Sequence, residues 1–297
     1  MVDIGQIKTF VENNPTLVQM KPSVKYPDLF VLKYAKKVFW DNLWTPELER
    51  CRGLVVDKDW NVVVRPFNKI YNYGIEDRAP KFEPTEYVRA YRKVNGFMAA
   101  LTYTKKYGLL ISTTGSLDSE YCDMIQQVMT RYNFHNLVNL LQNEKQFGYT
   151  HLFECVHGLD PHIIPEFSGL YYLGSMSHNL NDDDLWFDDD LKGVFDQIDS
   201  ITCRLCDLED HVKTVKHEGY VFYSKQGLAS KIKSPYYLIN KFFARKANIE
   251  NAVSDKAKEI FDEEYYPLIE HIRENKEYFT SLTEQDRLLF IRKFYGG

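Results

Sequence analysis

A lysine stands three residues before a glycine where a strand is predicted to begin, in the stretch Arg-Lys-Val-Asn-Gly-Phe that contains Lys93 and Gly96. A lysine amine attacks as a nucleophile only after it has lost its proton, and neighbouring cations favour that loss. The same pattern recurs from Lys105 to Gly108, between two predicted strands, so that copy is typical of a solvent-exposed turn. Lys93 differs because it ends one strand while its glycine opens the next, a geometry that can project the amine into a cleft.

Four other cations occupy positions from which they could surround a polyphosphate. Arg52 opens the run Arg-Gly-Leu-Val-Val-Asp, and Lys69 closes the run Arg-Pro-Phe-Asn-Lys. Lys231 and Lys233 alternate along a predicted strand, so their side chains share one face. If Lys93 attacked the α-phosphorus of ATP, pyrophosphate would leave and these cations could stabilise the charge that develops. Alternating lysines also occur on solvated strand faces, so this pattern alone leaves both interpretations open.

Two carboxylates complete the set of candidate residues. Glu154 lies inside the apolar run Leu-Phe-Glu-Cys-Val, and Glu218 stands before a glycine at the predicted start of a strand. Carboxylate oxygens suit a divalent cation such as Mg²⁺ and can also hold a sugar hydroxyl. An isolated acid in an apolar strand is more often a carboxylate with structural partners of its own. No one of these motifs is decisive alone, and their order and spacing must be considered together.

Composition and charge limit the classes of protein to which the chain can belong. The net charge of −5 excludes a globally basic nucleic-acid-binding protein but leaves a local basic groove open. No apolar run reaches the ~18 residues of a membrane span, and no P-loop motif occurs. The five cysteines are widely spread and no secretory signal is evident, so we expect a reducing cytoplasm.

Two further clusters could bind a metal, and each has a simpler interpretation. Cys203 and Cys206 have the spacing of half a zinc site. His211 and His217 follow downstream, but no second cysteine pair does. The acidic run at residues 182–184 is more typical of a solvated loop, because consecutive aspartates cannot all converge on one ion.

Hydrophobic periodicity predicts an α+β fold, in which a mixed antiparallel sheet carries a small helical C-terminal lobe. We therefore expect two domains, residues 1–240 and 241–297. The predicted helices cover residues 3–13, 117–143 and 236–295, the last with a break near 277–283, and the predicted strands cover residues 51–57, 60–65, 87–93, 96–104, 108–113, 149–156, 162–165, 170–176 and a hairpin over 218–233.

These motifs, in this order, resemble those of the covalent nucleotidyltransferases, which include DNA ligases, RNA ligases and mRNA capping enzymes. The segment Arg-Gly-Leu-Val-Val-Asp, followed by Arg-Pro-Phe-Asn-Lys-Ile-Tyr-Asn-Tyr-Gly, is similar to the one that precedes the nucleophile in phage-type RNA ligases. Phe153-Glu154, Glu218-Gly219 and Lys231-Ile232-Lys233-Ser234 are similar to the third, fourth and fifth motifs of the family. The resemblance covers residues 45–240 and implies an adenylation (nucleotidyltransferase) domain.

The resemblance implies a role for each candidate residue in ATP-dependent ligation. Lys93 would carry AMP, and Gly96 would let its strand pass close to the nucleotide. Arg52 and Lys69 would hold the β- and γ-phosphates of ATP, or later the RNA 5′-phosphate. The remaining assignments are Glu154 to the ribose or a metal, Glu218 to a catalytic Mg²⁺ or Mn²⁺, and Lys231 and Lys233 to the α-phosphate and pyrophosphate. Tyr171, Tyr172 or an aromatic residue of a neighbouring strand would stack on adenine.

The resemblance also implies the partner and the setting. The substrate would be RNA with a 5′-phosphate and a 3′-hydroxyl end, joined through an adenylated RNA, and a cleaved transfer RNA is one candidate. The protein would act in RNA repair as a monomer, in the cytoplasm of a phage-infected bacterium. No membrane contact is expected.

Two departures from the family pattern bear on activity. The nucleophile motif is usually Lys-x-Asp-Gly, whereas Asn95 occupies the acidic position here. Phage relatives have Lys-Ser-Lys-Gly-Ser where this chain has the lysine-free segment Ser112 to Ser116. Three alternatives therefore stay open: a DNA ligase, a capping-type enzyme, and an RNA-end-binding protein that has lost catalysis. We expect no oligonucleotide-binding barrel after Lys233, which disfavours the first two.

Overall fold

The chain folds into two compact units, each assembled from several segments. The computed structural model describes residues 2–160, 162–244, 251–252, 254, 256–257 and 261–296. The first unit comprises Met1–Lys69, Gly96–Pro161 and Glu166–Ile198, and the second comprises Ile70–Asn95, His162–Pro165 and Asp199–Gly297.

Strands and helices are distributed along the whole chain. The strands are β1 Val18–Pro22, β2 Leu29–Tyr34, β3 Arg52–Asp57, β4 Val62–Val64, β5 Tyr71–Asn72, β6 Tyr87–Arg92, β7 Phe97–Thr104, β8 Gly108–Ser112, β9 Tyr149–Val156, β10 Gly169–Ser177, β11 Leu185–Trp186, β12 Ser200–Arg204, β13 Gly219–Tyr223 and β14 Ala229–Lys233. The helices are α1 Ile4–Asn13, α2 Lys36–Trp40, α3 Pro46–Arg50, α4 Glu120–Met129, α5 Phe134–Leu141, α6 Asp189–Lys192, α7 Leu205–Val212, α8 Pro235–Ala244, α9 Tyr266–Glu274, α10 Lys276–Ser281 and α11 Glu284–Phe294, with 3₁₀ turns at Glu144–Gln146 and Glu263–Tyr265.

The first unit stacks two antiparallel sheets and a layer of helices. One sheet has the order β1-β2-β3-β4, and the other has the order β11-β10-β9-β7-β8. Because alternate residues of a strand point to opposite faces, the second sheet buries both of its surfaces. Ala100 and Leu152 share a core with Val31 of the first sheet. Ala99 and Phe153 point the other way and pack against helices α4 and α5.

The second unit is built on a five-stranded sheet with the order β12-β6-β13-β14-β5. All of its pairings are antiparallel except the one between β14 and β5. Helix α7 packs on the sheet through Leu205 and Leu208, which share a core with Phe222. A separate apolar core joins Phe242 of α8 to the C-terminal helices, where Leu268 of α9 is fully buried. No helix among the residues described is long and apolar enough to cross a membrane.

The predicted α+β class is confirmed, and most of the predicted elements are present within a residue or two. The helix predicted over residues 117–143 is instead two helices, α4 and α5. Tyr132 lies between them, where its hydroxyl donates to the carboxylate of Asp196 and accepts from the backbone N–H of Leu170. These two tertiary hydrogen bonds hold the connection away from a helical path.

The strand predicted at residues 162–165 is wrong. The backbone N–H groups of Ile163 and Ile164 donate to the side chain of Asn95 instead of to a neighbouring strand. The helical prediction over 236–295 is confirmed at α8 to α11, and residues 245–250, 253, 255 and 258–260 of that prediction lie outside the described residues. The predicted break near 277–283 is shorter than expected, because α10 continues to Ser281.

The two compact units are assembled from segments far apart in the chain, and the predicted domain boundary at residue 240 stays a prediction. The C-terminal helices belong to the same unit as β6 and β12 to β14, and the chain passes between the units five times before residue 200. Contacts between residues far apart in sequence decide this division, and local sequence patterns do not encode them.

Candidate active site

Lys93 and Glu218 are brought together by two adjacent antiparallel strands. Lys93 directly follows β6, and Glu218 directly precedes β13. The backbone N–H of Lys93 donates to the carbonyl of Gly219 over 2.8 Å, which fixes the two strand ends to each other. The amine of Lys93 then lies 3.2 Å from Oε1 of Glu218. The lysine side chain is 22% exposed and the glutamate side chain 3%, so solvent and substrate can reach the amine more easily than the carboxylate.

Asn95 ties the same carboxylate to the loop of residues 162–165. Its Nδ2 donates to Oε2 of Glu218 over 2.9 Å. Its Oδ1 accepts from the backbone N–H groups of Ile163 and Ile164, over 3.0 and 3.1 Å. Because both of these partners are donors, the side-chain oxygen must face them and the amide nitrogen must face the glutamate. An aspartate at this position would place a second carboxylate beside that of Glu218, and the two charges would repel. The contacts therefore give a structural reason for asparagine at position 95.

Lys233 reaches the same glutamate from the opposite side of the hairpin. Its Cα is paired with that of Gly219 across β13 and β14, which places it beside Glu218. The Lys233 amine lies 3.5 Å from Oε1 of Glu218 and 2.8 Å from Oε1 of Glu264. It also lies 5.1 Å from the ring centroid of Tyr237. Lys231 stands two residues earlier on the same strand, opposite Val221.

In this cluster, the negative charge of Glu218 is stabilised by the lysines beside it. Burial opposes ionisation of Glu218, but the ammonium groups of Lys93 and Lys233 outweigh it and hold the pKa of that carboxyl below its ordinary value. Burial raises the pKa of the Tyr237 hydroxyl to about 12, so it stays protonated. The sequence predicted a nucleophile crowded by cations, and the structure adds a carboxylate placed between two of them.

Gly96 and Glu154 lie together in the first unit. The backbone N–H of Gly96 donates to Oε1 of Glu154 over 3.1 Å. A Cβ atom on Gly96 would lie 2.3 Å from the carbonyl oxygen of Cys155, because β9 passes directly beside the start of β7. The glycine therefore has a structural reason that the sequence did not reveal. Its predicted contact with a nucleotide stays a prediction.

Arg52 stands directly opposite Lys33, a residue that the sequence analysis missed. Their Cα atoms are partners across β2 and β3. Neither side chain forms a hydrogen bond or an ion pair with another residue in the described part of the chain. The amine of Lys33 lies 3.2 Å from the place that a Cβ atom on Gly115 would occupy. Like charges directly opposite each other on neighbouring strands repel, so an anion held between them would be stabilising.

The second predicted phosphate-binding cation, Lys69, is held by aromatic rings. Its amine lies 4.4 Å from the ring centroid of Trp44 and 5.5 Å from that of Phe39. A cation over an aromatic face is attracted to the ring electrons while its charge can still reach a further partner. Its backbone N–H donates to the carbonyl of Glu49, which fixes the end of the segment.

Both tyrosines considered for adenine stacking are buried, and stacking by either stays a prediction. Tyr172 packs in the core beside Phe153, and its hydroxyl is hydrogen-bonded to that of Ser175. Tyr171 points to the opposite face of β10 and is the cross-strand partner of Glu154. The hydroxyl of Tyr171 donates to the carbonyl of Phe167.

The clusters that could have bound a metal have other partners. Asp183 of the acidic run forms ion pairs with Arg50 and with the almost fully buried Arg65. Arg65 also donates to three backbone carbonyls, those of Ser177, Asn179 and Asp182. His211 of the proposed zinc site is hydrogen-bonded to the hydroxyl of Tyr220. Asp183 of the acidic run therefore forms ion pairs with two buried arginines, a role that the sequence did not indicate.

Known proteins with similar sequences and folds include ligases. The sequence profile of a family described as RNA ligase matches residues 50–243, more than half of the chain. Two structures of an archaeal ATP-dependent RNA ligase match with TM-scores of 0.60 and 0.58, at 13% and 11% identity, over 99% of this chain and 78% of theirs. A provisionally assigned ATP-dependent DNA ligase from Aquifex aeolicus matches with a TM-score of 0.56 at 12% identity, over 96% of this chain and 76% of its own. At such low identities the structural likenesses show the fold alone.

Proposed function

The chain belongs to the RNA ligase family, and we propose that it is an ATP-dependent ligase that carries AMP on Lys93 and joins an RNA 5′-phosphate to a 3′-hydroxyl. The observation that carries this proposal is the Lys93 amine, 3.2 Å from Glu218 on a carboxylate that Asn95 and Lys233 also contact. The amine is exposed enough for a substrate to reach it. The buried carboxylate beside it is a group that can hold a divalent cation on the phosphates of ATP.

The reaction would proceed through three displacements at phosphorus. The lone pair of the Lys93 amine forms a bond with the α-phosphorus of ATP while the bond to the β-phosphate oxygen breaks, so pyrophosphate leaves and the amine proton passes to water. An oxygen of the RNA 5′-phosphate then displaces Lys93 from AMP, and the lysine takes up a proton. Finally, the RNA 3′-hydroxyl attacks the adenylated 5′-phosphate, loses its proton to water and releases AMP.

Glu218 is the residue that we propose for a divalent cation, Mg²⁺ or Mn²⁺. Its carboxylate oxygens suit such an ion, and Mg²⁺ usually takes one or two protein carboxylates and completes its ligands with phosphate oxygens and water. The described residues contain no group of three or more Asp, Glu, His or Cys side chains that could hold a metal, which fits a site shared with substrate phosphates. A bound cation would stabilise the charge that develops at the reacting phosphorus. Glu154 is the second proposed carboxylate, for the ribose or the metal.

Four cations are proposed for the phosphate groups. Lys231 and Lys233 are proposed to hold the α-phosphate and the departing pyrophosphate. Arg52 and Lys69 are proposed for the outer phosphates and later for the RNA 5′-phosphate. The mutual repulsion of Arg52 and Lys33 supports an anion at that position.

The finer biological statements follow from the family and are proposals. We propose that residues 1–240 carry adenylyl transfer and that residues 241–297 form a helical lobe. The substrate would be broken RNA, for which a cleaved transfer RNA is one candidate, and the role would be RNA repair in the cytoplasm of a phage-infected bacterium. The active form would be a monomer.

Self-labelling is the direct test of this function. The purified protein, stripped of bound AMP with pyrophosphate, is incubated with α-labelled ATP and Mg²⁺ or Mn²⁺ and run on a denaturing gel. A covalent label is expected on the wild type and on Lys105→Ala, the lysine of the second Lys-x-x-Gly pattern, whose side chain is 75% exposed. No label is expected on Lys93→Ala.

An unlabelled wild type would overturn the proposal and would favour an RNA-end-binding protein. Labelling by GTP in place of ATP would indicate a capping-type enzyme instead. With ATP labelling established, 5′-phosphorylated single-stranded RNA and nicked duplex DNA would be compared as substrates. Sealing of the nicked DNA without sealing of the RNA would contradict the RNA substrate.

A further inference from the structure

A second buried carboxylate, Glu264, holds Lys233 on the side away from Glu218. Glu264 lies in the 3₁₀ turn Glu263–Tyr265, which leads directly into the C-terminal helix α9. Its Oε1 lies 2.8 Å from the amine of Lys233, whereas Oε1 of Glu218 lies 3.5 Å from it. The shorter ion pair of Lys233 is therefore with the C-terminal segment and not with the residue proposed for the metal.

The contact is buried and forms part of a longer chain of alternating charges. The side chains of Lys233 and Glu264 are 10% and 5% exposed. Burial opposes ionisation of Glu264, but the charges of Lys233 and Lys241 outweigh it and keep the pKa of the carboxyl well below its ordinary value. Lys241 lies 2.9 Å from Glu264 and is also paired with Asp262. Removing one partner from such a buried pair leaves an uncompensated charge, so the arrangement is strongly specified.

The neighbouring residue, Glu263, provides a natural comparison. It is also a buried glutamate in the same turn, but its Oε1 accepts from Asn72 over 3.3 Å. Asn72 lies on β5, at the other side of β14. The two glutamates thus share burial, charge and backbone environment, and Glu264 is the one that forms the ion pair with Lys233.

We infer that Glu264 is a positioning residue for nucleotidyl transfer, which fixes the amine of Lys233 at the distance from Glu218 that the reaction needs. This inference rests on the proposed function. Lys93 and Lys233 share a single oxygen of Glu218, so the two ammonium groups compete for it. Electrostatic attraction to Glu264 keeps Lys233 at the longer distance from Glu218, so Oε1 of Glu218 stays close to Lys93. Without that attraction, Lys233 would move towards Glu218 and away from the phosphate that it is proposed to stabilise.

The expected signature is a loss of rate without a loss of ATP affinity, because Lys233 would act on charge that develops in the transition state. In Glu264→Gln, the rate of Lys93 labelling at saturating ATP should fall at least about tenfold, while the KM for ATP should change less than about threefold. Glu264→Asp keeps the charge but shortens the side chain, so it should show the same loss of rate even if Glu264→Gln fails to fold. Glu263→Gln should label at the wild-type rate.

Several outcomes would overturn the inference. A wild-type rate in both Glu264 variants would show that the contact does not act on catalysis. An equal loss of rate in Glu263→Gln and Glu264→Gln would show that the turn acts only through folding. A rise in KM with an unchanged maximal rate would assign Glu264 to ATP binding instead. Wild-type protein is labelled in parallel as a control. If the wild type itself does not label, the proposed function fails, and this result is distinct from a loss of labelling in the Glu264 variants alone.

Discussion

At the scale of single residues, Asn95 is the departure from the family motif that the contacts explain best. In Asn95→Asp, the donor to Glu218 is lost and a second carboxylate is placed beside it, so like charges repel in a buried site. We expect a loss of about 1–3 kcal/mol in the free energy of unfolding and slower self-labelling. Urea denaturation at pH 7 and the initial rate of labelling would measure the two effects.

Asn61 offers a matched control for this substitution. Its Nδ2 donates to Oδ2 of Asp57 over 2.9 Å, as that of Asn95 does to Glu218, but the Asn61 pair is exposed. Solvent screens exposed charges, so Asn61→Asp should cost less than about 1 kcal/mol. An Asn95→Asp protein as stable and as active as the wild type would contradict the structural role assigned to the amide.

Lys33 gives a prediction in which function and stability move in opposite directions. Replacing Lys33 with alanine removes a repulsion from Arg52, so the free energy of unfolding should be unchanged or slightly higher. If an anionic substrate group binds between them, the KM for ATP or for 5′-phosphorylated RNA should rise about threefold to tenfold. Lys58→Ala, at an exposed turn position, should change neither quantity. Unchanged KM values for both substrates would remove Lys33 from the phosphate-binding set.

The sequence selected Lys93, Glu218 and Lys233 as candidates because they lie in short motifs whose order resembles that of a known family, and the structure brings the three side chains together. It did not identify Lys33 or Glu264. Lys33 acquires its meaning from the pairing of β2 with β3, and Glu264 from a contact with a lysine 31 positions earlier in the chain. Neither position has a local composition that marks it.

At the scale of elements, the hairpin of β13 and β14 sets the distance between Glu218 and Lys233. Gly219 has φ of +134°, and a Cβ atom there would lie 2.1 Å from the carbonyl oxygen of Ile232. Gly219→Ala must therefore push the strands apart or strain the backbone, at a cost of about 1–3 kcal/mol or more. We expect both the melting temperature and the labelling rate to fall, as measured by thermal denaturation and gel labelling.

Gly227, in the turn of the same hairpin, allows the effect of backbone strain to be distinguished from that of the steric clash. It also has a positive φ, of +78°, but nothing lies within 4 Å of the place for its Cβ atom. In Gly227→Ala, the free energy of unfolding should fall by only about 1 kcal/mol, because the left-handed backbone conformation is the sole unfavourable term, and the variant should label normally. Equal losses in the two variants would show that the close approach at Gly219 is unimportant.

Elements with strong alternation and clear turns were predictable, and elements defined by side-chain contacts were not. The hairpin of β13 and β14 combines alternating residues with the turn Ser-Lys-Gln-Gly, and it was predicted correctly. The apolar residues at 162–165 have the composition of a strand, but their N–H groups are satisfied by the side chain of Asn95. An acceptor 68 positions away cannot be read from the local pattern.

At the scale of the whole molecule, local patterns predict the class of fold, whereas long-range contacts decide how the chain divides into compact units. Strand alternation and helical periodicity are local, so they were sufficient for an α+β fold. The sheet of the second unit pairs Ser230 with Tyr71, and its C-terminal core includes Ile164. Such pairings join segments that other strands separate in sequence, so local patterns do not encode them.

The same pairings predict what a shortened chain would do. Helix α8 buries Tyr237, Leu238 and Phe242 in one core with the C-terminal helices. A chain that ends after residue 244 would expose those side chains to water and would remove Glu264 from Lys233. We expect low soluble yield, loss of a cooperative thermal transition and no self-labelling. Leu289→Ala, at a side chain that is 59% exposed, should behave as the wild type does. A shortened chain that melts cooperatively and labels at the full rate would instead establish residues 241–297 as a separable domain, because the core and the Lys233 contact would then be dispensable.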